Sequence, residues 1–453
     1  MTTEYENRIE EADDLSFGDI VWGQFKKNTV AYSSLWLLGF LLLLAICTPL
    51  FASGRPFIWT EDGVTTYPWF SSLFDRNYYE NGVDIFFNLL LVLGLPLFAV
   101  FMVRVKQLSG IRKRPRRKKL LREGTFLIGV FFIGFIAILA KPYQQPYVQF
   151  HDTYLESELA SNLTEVEAAF SAYKEDPKSL TEDQESIMTT MRRLSLKPDE
   201  LTQDKEISGV FAPIPYAFRK TGFPALQKPS LKKHWIGVDS AGRDVAVQML
   251  YGIRISLSIG VIAVGIYVTI GIIIGALAGY FSGKVDMIVQ RVIEIVMSVP
   301  VLIVLLVLIA FIEKPSIYHI MLIIGLFRWT GVARLVRGEF YRLRNLDFVT
   351  SAVALGFKPT RIIFQHILPN ALGPVLVAAT FGVAGAILTE SGLSFLGFGD
   401  VSVPSWGQTL KDGYASSTWH LILAPGFAIF ATVSILNLVG EGLRDALDPK
   451  MRK

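Results

Sequence analysis

The stretch Arg254-Ile-Ser-Leu-Ser-Ile-Gly-Val-Ile-Ala-Val-Gly-Ile-Tyr-Val-Thr-Ile-Gly-Ile-Ile-Ile-Gly-Ala-Leu-Ala-Gly-Tyr-Phe-Ser-Gly-Lys284 has no charge between its ends. A helix needs about 20 residues to cross a hydrocarbon layer of roughly 30 Å. Inside that layer its backbone polar groups must be bonded within the segment. The stretch is therefore expected to span a membrane over 255–281. Further apolar runs stand near 30–52, 85–103, 124–140, 295–312, 319–334, 368–389 and 418–440, giving eight expected spans. The third is short, and the sixth contains Arg328. These runs account for the composition: 453 residues, 51% hydrophobic and 19% charged, with a mean hydropathy of +0.41. Soluble domains carry about 25% charged residues. The single cysteine, Cys47 inside the first run, rules out a disulfide scaffold.

The first run follows the acidic segment Glu10 to Asp14 and is too long for a cleaved signal. It reads as an anchor, with Lys26 and Lys27 on its cytoplasmic side. Charge distribution orients the rest. With both termini cytoplasmic, the inside segments hold 25 Lys/Arg and the short outside loops 4, as the positive-inside rule expects. The basic run Arg112 to Lys119 lies between two apolar runs, so anionic lipid is its expected partner rather than nucleic acid. Segment 141–230 differs in kind. From His151 to Glu206 it holds 14 Asp/Glu against 6 Lys/Arg, with helix-like runs such as Leu163 to Tyr173. It reads as a polar, helical, extracytoplasmic insert, either a solvated decoration or a contact for an outside partner.

Several chemistries lack their residues. Ser282-Gly283-Lys284-Val285 resembles a phosphate loop only superficially, because Ala278 and Val285 stand where Gly and Ser/Thr are required. The five histidines, at 151, 234, 319, 366 and 420, have no metal-ligand spacing. No cofactor, metal or catalytic residue is expected on this chain. Arg291 and Glu294 are i, i+3 neighbours expected to pair. Arg328 and Glu390 lie in or at spans. Intramembrane ionisable residues are pathway candidates, with structural pairing as the other reading.

The segment between the sixth and seventh runs, 335–367, is the most informative. Asn345 or Asp347 can cap a short helix, and Phe348, Ala352 and Leu355 give it one apolar face. Gly356 sits where a helix ends in a left-handed residue. Pro359 suits the first turn of the next helix. Pro369 marks the approach to the seventh run. The expectation is a helix–turn–helix elbow, either lying in the lipid interface or docking in a groove of a cytoplasmic protein.

This elbow resembles the cytoplasmic EAA loop of ABC importer permeases. Ala352, Gly356, Leu368 and Pro369 match the loop's pattern, while Thr350 and Ser351 stand where its Glu and first Ala are usual. Other segments narrow the resemblance to the C-type permeases of the dipeptide, oligopeptide and nickel branch. They are His234-Trp-Ile-Gly237-Val-Asp239-Ser-Ala-Gly242-Arg243-Asp244, then Tyr251-Gly252-Ile-Arg254-Ile-Ser256-Leu257, Glu390-Ser-Gly-Leu-Ser394-Phe-Leu-Gly397, Pro404-Ser-Trp406-Gly407 and Gly440-Glu-Gly442-Leu-Arg444-Asp445-Ala-Leu-Asp448-Pro449. The match covers 231–453 almost continuously and 20–52 weakly.

The resemblance implies an all-α polytopic membrane protein: a six-span type I ABC importer permease core with two extra transmembrane helices and an extracytoplasmic helical insert. Its parts are a cytoplasmic tail 1–29, a first transmembrane helix 30–52, an insertion 53–140 with two extra spans and a basic loop 104–123, the acidic insert 141–230, and a core 231–453 with five spans. It also implies a bacterial inner-membrane location. The implied partners are a second homologous permease, two ATP-binding subunits that hold the ATP and Mg, and an extracytoplasmic solute-binding protein. Peptides are the implied cargo, with nickel complexes or modified peptides as alternatives. Asp347, Thr350, Ser351, Ala352, Gly356, Leu368 and Pro369 would couple to the ATPases. Gly237, Asp239, Gly242, Arg243 and Asp244 would lie at the outer mouth of the pathway or touch the binding protein, or else form a turn that positions the next span. A rival class is a self-contained secondary transporter or a sensor that uses the acidic insert as its input. The inverted repeats of the first and an output domain for the second are not visible in the chain.

Overall fold

The computed structural model describes residues 17–108, 113–140, 149–176, 180–194, 207–231 and 233–448, with positions 144, 196 and 201. Parts of the expected tail, basic run, acidic insert and C-terminal motif, including Arg112 and Pro449, lie outside the described residues. The chain forms two compact units, 44–254 and 1–43 with 255–453.

In chain order the elements are α1 (Phe17–Lys27), α2 (Thr29–Phe51), β1 (Ile58–Glu61), β2 (Val64–Thr66), α3 (Gly82–Gln107), α4 (Lys113–Ala140), α5 (Phe150–Ser161), α6 (Leu163–Glu175), α7 (Glu182–Leu194), β3 (Ile207–Val210) and α8 (Val245–Phe281). There follow α9 (Gly283–Ser298), α10 (Val301–Ala310), α11 (Ile317–Phe327), α12 (Trp329–Leu343), α13 (Asp347–Ala354), α14 (Pro359–Phe395), α15 (Trp406–Ser416) and α16 (Trp419–Leu447). Among the described residues seven helical stretches are long and apolar enough to cross a membrane: α2, α3, Lys118–Ala140 of α4, α8, α11 with α12, α14 and α16.

The run expected to cross at 295–312 is not one straight helix. α9 and α10 meet at a 73° bend, with Val299 and Pro300 extended between them. Proline disfavours helix at the residue before it and has no N–H to continue the ladder. At 1.5 Å per residue α10 alone reaches about 15 Å, so an eighth crossing requires both arms.

Residues 44–254 hold more than helices. β1 pairs antiparallel with β2 and with β3, in the order β2-β1-β3. Residues 207–210 of the acidic insert therefore close on a hairpin that precedes the first extra span. An apolar cluster that includes Ala52, Tyr79, Ile85, Ile214, Phe218, Val238 and Tyr251 ties these loops to the start of α8. Burial and the neighbouring Tyr78 push the Tyr79 phenol well above the usual tyrosine range, so it stays neutral. Helices α5, α6 and α7 share a second cluster around Val166, Ala169, Met188 and Met191. The acidic insert thus has a core of its own.

In the other unit, α16 packs on α14 and on α1. Phe25 and Ala31 meet Val439 and Ala446. Gly442 is required there, because a Cβ would lie 2.1 Å from that of Ala31.

Candidate functional site

The elbow follows α12. Leu346, in extended conformation, precedes α13, and no side chain caps the helix. Neither Asn345 nor Asp347 therefore acts as the expected cap. Asp347 occupies the first turn, where its charge faces the positive end of the helix dipole, and its carbonyl accepts from Thr350 Oγ1 at 3.0 Å. The expected apolar face is also rotated. Val349 and Ala352 are buried, while Phe348, Val353 and Leu355 are exposed, Leu355 to 72%. Asp347, Thr350, Ser351 and Gly356 are exposed as well.

The helix ends as its sequence predicts. Gly356 has φ +74°, its N–H donates to Val353 O at 2.9 Å, and Phe357 N–H donates to Ala352 O at 3.2 Å. These are the two bonds of a Schellman stop. Lys358 leads into Pro359 at the first turn of α14. The second arm of the elbow is not a separate helix. It runs on into the span through a π-helical turn, Ile362–Ile367, where Leu368 N–H donates to Ile363 O. Pro369 has no N–H for Gln365 O, and the wider turn accommodates that loss. The Arg361 guanidinium lies over the Phe357 ring, 4.1 Å from its centroid, and the His366 ring stacks on Phe357 at 5.6 Å.

Arg328, at the junction of α11 and α12, lines a cavity of about 460 Å³ with Tyr267 of α8, Val299 and Pro300 at the bend, and Ala378 of α14. Its Nη2 donates to Thr389 Oγ1 at 2.8 Å. A broken helix beside a cavity is where irregular backbone is tolerated at membrane depth. Glu390 is not among the residues that line this cavity. It is buried and accepts from Ser394 Oγ at 2.7 Å and Ser405 Oγ at 2.8 Å, which ties α14 to the start of α15. Arg291 and Glu294 pair at 2.6 Å on an exposed face of α9, as expected.

In the other unit, Gly237, Asp239, Gly242, Arg243 and Asp244 form one tight structure. Asp239 Oδ1 accepts from the backbones of Ala241 and Arg243, and its Oδ2 from Arg243 Nε at 2.7 Å. Gly237 and Gly242 have positive φ, and a Cβ on Gly242 would lie 2.6 Å from Phe223 O. Asp244 caps α8 by accepting from Val247 N–H at 3.0 Å, and its other oxygen bonds His234 Nδ1 at 2.7 Å. Both carboxylates are buried. Asp244→Ala removes the cap and orphans a buried imidazole. It is expected to lower stability by about 1–3 kcal/mol, read as the midpoint of urea unfolding of the purified protein. An unchanged midpoint would contradict this role.

Sequence reasoning missed two ion pairs. Arg254 stands at the edge of the span expected over 255–281, but α8 begins nine residues before it, at Val245, and Arg254 is fully buried within it. Its Nη1 bonds Asp84 of α3 at 3.1 Å. Its Nε donates to Ala45 O at 2.8 Å, the carbonyl that Pro49 of α2 leaves without a helical donor. Opposite charges near the ends of two apolar runs were the available signal. The second pair joins Arg337 of α12 to Asp286 of α9, with Nη2 2.7 Å from Oδ2, and Tyr341 Oη also donates to Asp286.

The family described as "Binding-protein-dependent transport system inner membrane component" matches residues 271–453. The "N-terminal TM domain of oligopeptide transport permease C" matches 16–67. The chain is similar to the oligopeptide transport system permease protein OppC of Bacillus subtilis, 39% identical over 253 residues, 54% of this chain and 82% of the relative. It is similar to the dipeptide permease protein DppC of Alkalihalophilus pseudofirmus, 40% identical over 230 residues, 50% and 75% of the two chains. It is also similar to OppC of Haemophilus influenzae, 44% identical over 223 residues, 48% and 71%. A solved inward-facing MetNI methionine ABC transporter chain is 17% identical, with 44% and 96% coverage and a TM-score of 0.38.

Proposed function

The chain belongs to the binding-protein-dependent inner-membrane transport components, the permease subunits of ABC importers, and from that premise we propose that it forms part of a pathway for peptides. As a permease of this kind it is a multi-pass inner-membrane protein that works with ATPase and solute-binding partners. Our fuller reading adds a second homologous permease and two ATP-binding subunits, with both termini of this chain cytoplasmic. Residues 53–230 are read as an insertion in the six-span core, although the match to the N-terminal permease domain runs to residue 67 and so includes 53–67.

One observation carries the coupling proposal. Between two spans, α13 leaves Phe348 exposed on the same side as its C-cap residue Leu355, and it ends on a glycine stop. An exposed apolar face on a short, fixed helix fits a groove in a partner. Contacts that differ between two states of the ATPase would then move α14, which continues from the elbow. Coupling requires such differential contacts. Arg328 is assigned to the pathway through the cavity it lines. Glu390 is assigned to holding α15.

The test is recovery of the tagged chain in mild detergent together with uptake of labelled dipeptides by cells with and without it. An ATP-binding subunit that co-purifies, and uptake that depends on the chain, support the proposal. Absence of any ATPase, or unchanged uptake without the chain, overturns it.

A further inference from the structure

Within residues 44–254 lies a cavity of about 90 Å³ that the transport reading leaves unused. Arg55, Tyr78, His151, Tyr216, Phe218 and Lys220 are among its walls. Only 3% of Arg55 is exposed. Its guanidinium lies over the ring of Tyr78 at 5.6 Å and of Phe150 at 5.1 Å. The backbone of Arg55 is bonded to Ser53. Among the described residues, no carboxylate or carbonyl accepts from its guanidinium.

The neighbouring cations are committed. Lys220 Nζ bonds Asp152, and Gln149 Oε1 at 2.7 Å. Arg219 bonds Glu80 and holds that carboxyl below the usual carboxylate range. The charge left over at the cavity is therefore the single positive charge of Arg55. A buried cation without a counter-ion is unfavourable. Arginine offers a planar fork of donors that matches a carboxylate two bonds at a time. One residual charge balances a monoanion and undercompensates a phosphate dianion. The small volume admits a carboxylate with a short stem, and the aromatic walls provide apolar surface for that stem.

We propose that this cavity binds a monoanionic carboxylate, with the Arg55 guanidinium as its bidentate partner and Tyr78, Tyr216 and Phe218 enclosing the attached carbon. The carboxylate can come from a small free acid or from the C-terminus of a short peptide. The site is independent of the coupling proposal above.

The experiment uses the full-length protein in detergent and follows its thermal midpoint in sodium acetate and in sodium chloride at equal ionic strength. Acetate is expected to raise the midpoint by several degrees more than chloride. Arg55→Met is expected to abolish that difference. Arg55→Lys is expected to weaken the apparent affinity about tenfold, because it keeps the charge and loses the fork. Dialanine against dialaninamide separates the sources. Beside the rise in acetate, a rise with dialanine and not with dialaninamide assigns the carboxylate to a peptide end, and no rise with either assigns it to a small acid. Equal midpoints in acetate and chloride, a difference that survives in Arg55→Met, or a rise of equal size with dialanine and dialaninamide each overturn the proposal. The first comparison needs no variant, so a poorly folding variant does not shield it.

Discussion

Replacing Gly356 by valine is expected to reduce peptide uptake to background while leaving the protein inserted at its normal level. The reasoning starts from the backbone. Gly356 has φ +74°, a conformation that costs an L-residue about 1–2 kcal/mol and a β-branched one more. A Cβ there meets no atom within 4 Å, so the cost is purely conformational and nothing in the packed spans is disturbed. The strain is relieved by giving up the two closing bonds, Gly356 N–H to Val353 O and Phe357 N–H to Ala352 O. α13 then loses its fixed angle to α14, and the apolar face that should meet the ATPase is no longer held. Gly356→Asn is the control, since asparagine visits the left-handed region readily, and it should retain most uptake. Normal uptake by Gly356→Val would remove the coupling role of this stop.

The second large effect is expected at Asp84. Asp84→Ala leaves Arg254, fully buried in α8, without its carboxylate. Breaking one partner of a buried pair typically costs about 3–5 kcal/mol. The purified variant should melt many degrees lower or accumulate poorly. Adding Arg254→Leu should recover part of that loss, because no charge remains unpaired. Recovery stays incomplete because Ala45 O also loses the Nε donor that stands in for the N–H absent at Pro49. Pro49→Ala in the same background supplies that N–H and should recover about 1 kcal/mol more. Thermal unfolding of the three variants gives the ranking. A single Asp84→Ala variant as stable as wild type, or a double variant no better than the single, is incompatible with this account.

What the sequence made legible follows the range of the interactions. Gly356 and Pro359 were readable because a left-handed stop and a helix start depend on the residue itself. The spans were readable because apolar length alone defines them. The bend at Val299–Pro300 was visible as a proline but masked by the apolar run continuing through it to Ala310. The face of α13 was misjudged because Phe348, Ala352 and Leu355 are equally apolar in sequence, whereas the neighbouring packing selects Val349 and Ala352. The sheet escaped notice because its strands are four, three and four residues long. The site at Arg55 is assembled from segments near 55, 78, 151, 216 and 220, and no spacing rule joins them.

The arrangement of residues 44–254 also sets an order of events at the ribosome. Asp84 precedes its arginine by 170 residues. At about 5–20 residues per second, roughly 10–30 s of translation separates the two. Until β3 at 207–210 has been made, which takes most of that interval, the β1–β2 hairpin exposes the edge that β3 will cover, and an isolated two-stranded hairpin is marginal at best. Asp84 is made with α3 before its counter-charge Arg254 exists, and an unpaired buried charge is costly. The unit therefore cannot be completed until α8 supplies Arg254. Until then the nascent chain depends on whatever attends it, and slowing translation between α4 and α8 prolongs the vulnerable stage.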